Sequence, residues 1–125
     1  MLKPLTIKAT KQTPDVALDY ESGILKFEGK SRPEDAMYFY EPILTWINRY
    51  VENPQPKTRV IINLEYYNSA TAKVLKSFFE MFHKLTDAGF ELALEWHYQE
   101  EDEDMREVGE ELSSLFDIPF IYKPY

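Results

Sequence analysis

The chain has 125 residues, 44% of them hydrophobic, no cysteine, and a net charge of −8 from 22 acidic and 14 basic side chains. That length is expected to form one domain over residues 1–125 and to bury enough surface to need neither disulfide nor structural metal. Without cysteine there is no thiolate–zinc, iron–sulfur or thiol-nucleophile chemistry, and an acidic surface repels nucleic-acid phosphate and anionic lipid, so neither is an expected partner.

Leu5, Ile7 and Ala9 alternate with Thr6, Lys8 and Thr10, the period of a half-buried strand. Val16, Leu18 and Tyr20 repeat that pattern, and Leu25 and Phe27 resume it after Glu21-Ser22-Gly23, which predicts an antiparallel hairpin. Ser31 offers a helix N-cap ahead of the acidic Pro33-Glu34-Asp35. Met37, Tyr40, Ile43, Leu44, Ile47, Tyr50 and Val51 then follow at helical spacing to about Asn53, with Pro42 predicting a kink or a helix in two parts.

The apolar run Val60-Ile61-Ile62-Asn63-Leu64 reads as a central strand covered on both faces. Val74, Leu75, Phe78, Phe79, Phe82 and Leu85 mark a second helix from Ala70, closed by Gly89 as a left-handed cap. Leu92, Leu94, Trp96 and Tyr98 alternate with Glu91, Ala93, Glu95 and His97, a strand with one polar face. Asp102 can cap a last helix with core face Met105, Val108, Leu112, Leu115 and Phe116, and a short strand from Pro119 to Lys123 ends the chain. The order β-β-β-α-β-α-β-α-β predicts an α/β fold with a mixed sheet of about six strands, an N-terminal antiparallel hairpin and helices mainly on one face. No signal-peptide pattern and no membrane-length apolar run is present, so the expected location is cytoplasmic. An aromatic share of 15% exceeds what such a core needs, which predicts rings at a contact surface.

Catalytic motifs are lacking. Gly23, Gly29, Gly89 and Gly109 are too scattered for a phosphate loop. His83 falls just past the apolar stripe of its helix, and His97 reads as a solvated partner of Glu95. The run Glu100-Glu101-Asp102-Glu103-Asp104 lacks calcium-loop spacing and serves a helix start through its dipole, with partner recognition as a second use. Neither a metal nor any other cofactor is expected. Tyr66-Tyr67-Asn68-Ser69-Ala70-Thr71-Ala72-Lys73 sets small hydroxyl residues where a parallel strand meets a helix, the end of an open α/β sheet at which ligand and regulatory sites gather. Asn68 or Ser69 can equally be the helix cap.

Glu65-Tyr66-Tyr67-Asn68-Ser69-Ala70-Thr71-Ala72-Lys73 resembles the Tyr-Phe-Asn-Thr-Ser-Ser-Ser-Lys segment of the SiaC-type regulators, STAS-like proteins akin to anti-sigma-factor antagonists. Gly29-Lys30-Ser31-Arg32-Pro33-Glu34-Asp35-Ala36, Phe39-Tyr40-Glu41-Pro42, Trp96-His97-Tyr98 and Asp102-Glu103-Asp104-Met105 resemble further segments of that family, in matching order along nearly the whole chain. The resemblance implies a STAS-like fold and a protein-interaction regulator, not an enzyme. Its switch is the hydroxyl after the asparagine, here Ser69, with Thr71 the second choice. A dedicated kinase and a PP2C-type phosphatase would set its state, and the unmodified form would engage a diguanylate cyclase through Tyr66, Tyr67, Asn68, Ser69 and Lys73. The chain departs from the pattern in carrying serine for the common threonine, Ala70 and Ala72 for hydroxyls, and Arg32 for an aromatic. Two rival readings stay open: a constitutive interaction or scaffold domain in which Ser69 only caps a helix, and a metal-dependent enzyme using residues 100–104 with Glu65.

Overall fold

The computed structural model describes residues 2–125. Strands β1 (Leu5–Ile7), β2 (Asp15–Asp19) and β3 (Ile24–Ser31) lead into α1 (Ala36–Glu52), β4 (Lys57–Tyr67), α2 (Ser69–Asp87), β5 (Glu91–Tyr98), α3 (Glu103–Phe116) and β6 (Phe120–Pro124). They form one six-stranded mixed sheet in the order β1-β2-β3-β4-β5-β6. β1, β2 and β3 pair antiparallel, while β3, β4, β5 and β6 pair parallel. The expected α/β architecture and element order are thus those observed.

Strand order equal to chain order makes all three crossovers step the same way across the sheet. Right-handed crossovers that step the same way deliver their helices to the same face. The core lies between that face and the helices: Leu25, Phe27, Val60, Ile62, Leu94 and Trp96 meet Ile43, Ile47, Val74, Phe78 and Phe82. The β2–β3 turn needs Gly23, at φ +70°, because a Cβ there would lie 2.6 Å from the carbonyl oxygen of Lys57.

Several local expectations are corrected. Ser31 does not cap α1; β3 continues through an irregularity after Gly29, so Ser31 is its buried last residue, paired with Tyr67. Asp35 caps α1 instead, its carboxylate accepting from the Tyr38 N–H at 3.1 Å. α1 is one helix, not two, with Pro42 inside it. Both Pro42 and Tyr38, whose carbonyl loses its usual donor, are exposed, so water can serve that carbonyl. Met37 and Leu115, expected in the core, are 61% and 67% exposed, whereas Trp46 is buried and stacks on Tyr50.

Among the described residues no helix covers the second face of β4, contrary to the reading of its apolar run. Ile61 is nevertheless buried there, in register with Lys26 and Glu95. Glu95 and His97 are not a solvated pair either. The Arg59 Nε–H donates to Glu95 Oε2 at 2.5 Å, and His97 Nε2 lies 2.9 Å from Glu95 Oε1. The Arg59 hydrogen bond pulls the Glu95 carboxyl down to about 2 against the opposing effect of burial, with His97 assisting. His83 is half-buried, with Nδ1 3.8 Å from Asp87. Among the described residues no helix is long and apolar enough to cross a membrane.

Candidate functional site

β4 runs to Tyr67 at the carboxyl end of the parallel strands, and α2 starts two residues later. Consecutive strand residues leave on opposite faces. Tyr66 accordingly stands 49% exposed, while Tyr67 is half-buried against the core. Burial raises the Tyr67 phenol above its usual range, and the nearby Glu111 carboxylate adds to the effect.

Asn68 has extended backbone, and its side-chain oxygen accepts from the Thr71 N–H at 2.9 Å. Of the two capping alternatives the structure therefore selects Asn68. Ser69 becomes the first residue of α2, exposed and free of the capping role. Lys73, one turn later on the same side, is also exposed.

Thr71 is fully buried. Its hydroxyl donates to the Ser31 carbonyl at 3.2 Å and lies 2.8 Å from the Ser31 Oγ, which in turn lies 2.5 Å from the Tyr40 hydroxyl. The Asn68 N–H donates to the same Ser31 carbonyl at 3.0 Å. Desolvation raises the Tyr40 phenol, partly offset by its hydroxyl neighbours. This buried cluster ties the end of β3, the first turns of α1 and the start of α2 into one rigid corner. A phosphate on Thr71 would have to break it open; one on Ser69 would project from it.

Ser69, Ala70 and Lys73 line one side of a groove of about 320 Å³ whose other side is Ala36, Met37 and Leu44 of α1. Met37, 61% exposed, stands at its α1 side. Sequence reasoning missed these α1 residues because they lie on another helix, with the whole of β4 between, and join Ser69 only through helix packing. The quoted Pro33-Glu34-Asp35-Ala36 segment, which ends at the groove, was the signal available.

The acidic run lies where its helix-start reading puts it. Asp102 caps α3 by accepting from the Met105 N–H at 3.0 Å, and Glu103 and Asp104 sit in the first turn. Among the described residues, no three His, Asp or Glu side chains gather closely enough to hold a metal ion.

Comparisons with known proteins bear on the family and the fold. An uncharacterised protein of Pseudomonas aeruginosa (strain UCBPP-PA14) is 25% identical over 119 residues, covering 95% of this chain and 94% of the relative. A crystal structure of the diguanylate cyclase SiaD in complex with its activator SiaC, from Pseudomonas aeruginosa, contains a chain that matches with a TM-score of 0.91 at 25% identity, over 97% of this chain and 99% of that one. Apo-SiaC from the same organism shares the fold, with a TM-score of 0.86 at 24% identity over 96% and 98% of the two chains. The family model for SiaC family regulatory phosphoproteins spans residues 7–125, taking in the hairpin, the hydroxyl corner and the acidic helix start, and the chain belongs to that family.

Proposed function

We propose that the chain is a cytoplasmic, phosphorylation-switched interaction regulator, without turnover of its own, whose unmodified form engages a diguanylate cyclase. Ser69 is the switch, set by a dedicated kinase and reset by a PP2C-type phosphatase. The observation that carries this reading is the division of labour at the start of α2: Asn68 caps, Thr71 is buried, and Ser69 presents a spare hydroxyl beside an apolar groove. Family membership and the similarity to a chain from the SiaD–SiaC complex support the class of partner.

The mechanism is electrostatic. A phosphate brings about −1.5 to −2 charges and three acceptor oxygens. At the first position of a helix those charges meet the positive end of the helix dipole, and Lys73 stands at i+4 to pair with them. The fold therefore tolerates the modification. A partner seated on Tyr66, Met37 and the groove would instead have to bury a dianion, and its binding would fall by about a hundredfold for a ~2.8 kcal/mol penalty.

Peptide mapping after incubation with the cognate kinase should find phosphate on Ser69. Titration of the cognate cyclase should show Ser69→Ala binding like the unmodified protein and the phosphorylated protein binding about a hundredfold more weakly. Phosphate on another residue, or phosphorylated protein that binds undiminished, would remove the switch.

A further inference from the structure

We propose that the sheet face opposite the three helices pairs with the same face of a second copy of this chain, about a two-fold axis that runs along β4. Side chains alternate between the two faces of a strand. With Leu25, Phe27, Val60, Ile62, Leu94 and Trp96 in the core, their strand neighbours form the other face. Register sets those neighbours in rows across the sheet. The middle row reads Thr6, Ala17, Lys26, Ile61, Glu95 and Ile121 from β1 to β6. On one side of it lie Asp15, Glu28, Asn63, His97 and Lys123, and on the other Asp19, Ile24, Arg59 and Ala93. Ile61 is 8% exposed at the centre, and Ile121 is 44% exposed near one edge. Tyr125 reaches back over this face, its hydroxyl donating to Asn63 Oδ1 at 3.0 Å, so an aromatic ring joins the surface.

The charges of these rows complement themselves. A two-fold axis along β4 leaves each row facing itself and exchanges β3 with β5 and β2 with β6. Ile61 then meets Ile61. The Lys26–Glu28 pair, 3.1 Å apart, comes over the Glu95–His97 pair of the other copy, cation over carboxylate and carboxylate over imidazole. Asp15 comes over Lys123, and Ala17 over Ile121. Of the charged residues in the three rows only Arg59 falls on the axis, where it would meet its own copy, and its guanidinium turns aside to Glu95. An axis across the strands would instead set Lys26 on Lys26 and Glu95 on Glu95. Opposite charges arranged on either side of a central aliphatic residue thus specify a second copy rather than a partner of one sign. Five facing strands about 4.8 Å apart, over some six residues each, cover roughly 500 Å² per copy, a size that goes with weak, concentration-dependent association. Because the axis runs along the strands, both copies present their Ser69 sites at the same end, a bivalent surface for a partner that is itself two-fold.

This inference does not depend on Ser69 being a switch. β2 and β6 lie four strand spacings apart, roughly 19 Å, about twice the screening length at physiological salt. Asp15 and Lys123 of one chain are therefore too far apart to pair. Both are exposed, and among the described residues neither makes an ion pair. Sedimentation equilibrium of the unphosphorylated full-length protein, from micromolar to near-millimolar concentration, should show a reversible monomer–dimer equilibrium that weakens as salt rises. Asp15→Lys alone and Lys123→Asp alone should each weaken it roughly tenfold, since both symmetry-related contacts become repulsive. An equimolar mixture of the two variants should regain the dimer, because only the mixed pair sets opposite charges at both contacts. Melting temperatures of both variants should match wild type. A monomer at every concentration, a dimer that ignores either reversal, or a mixture that associates no better than its components would overturn the proposal. Since Ser69 is untouched throughout, such a failure leaves the switch intact, and a failed switch leaves this result standing.

Discussion

Glu95 is 6% exposed on the sheet face opposite the three helices, and its carboxylate keeps its charge because Arg59 and His97 both reach it. Its value of about 2 in the fold lies below the ordinary 4.5. A group depressed on folding contributes its full stability above the unfolded value and loses it as pH falls toward the folded one. Glu95→Gln should therefore cost about 1–2 kcal/mol at neutral pH in urea denaturation, and the gap from wild type should narrow below pH 4.5 and close near pH 2. A gap constant from neutral pH to pH 2 would contradict the assignment. The alternation of Glu91, Glu95 and His97 along β5 announced a polar face correctly. It could not announce that Arg59, thirty-six residues earlier, stands on the neighbouring parallel strand and takes Glu95 out of solvent.

Two helices carry sharper tests. At the start of α2, Asn68 holds the cap, so Asn68→Ala should cost about 1 kcal/mol. Ser69→Ala and Ser69→Asp should both stay within about 0.5 kcal/mol of wild type, the aspartate slightly the more stable through the helix dipole. Thermal melts of the three variants decide it; a serine variant that loses as much as Asn68→Ala would return the cap to Ser69. In α3, Gly109 lets the helix sit directly on Trp96. A Cβ there would meet the indole Cδ1 and Nε1 at 2.6 Å, and the ring cannot retreat, since its Nε1–H donates to the Met105 carbonyl at 3.0 Å and it stacks on Phe120. Gly109→Ala should destabilise by about 1–3 kcal/mol, outweighing the ~1 kcal/mol that alanine gains in helix propensity. An unchanged or raised melting temperature would show that the indole yields. Helical periodicity located α1 but misassigned its edges, because Met37 and Trp46 both lie near the border of the apolar stripe and only packing tells which side is covered.

For the molecule entire, the sequential strand order is what would make a modification of Ser69 a surface event. All three helices share one face of the sheet, so the carboxyl ends of the parallel strands open onto a rim formed by the start of α2, the start of α1 and the start of α3. Ser69, Met37 and the acidic start of α3 are thereby arrayed around one end of the fold, with the Ser31–Tyr40–Thr71 cluster holding the corner beneath Ser69. A phosphate on that rim should change binding without changing the core. Phosphorylated protein should melt within a few degrees of the unmodified form, the shift of a sub-kilocalorie effect in a domain of this length. A large fall in melting temperature would mean that modification acts by unfolding the corner instead.

Element type and order and the placing of helices mainly on one face were readable from the chain, because periodicity and turn chemistry are local and each element is long enough to display its pattern, although the apolar run of β4 pointed to cover on both faces. The choice between Asn68 and Ser69 as cap, the burial of Thr71 under Ser31 and Tyr40, and the meeting of Met37 with Ser69 were not readable. Each depends on distances across elements far apart in sequence, and side chains equally suited to a role by type are separated only by which of them packing brings within a few ångströms of its partner.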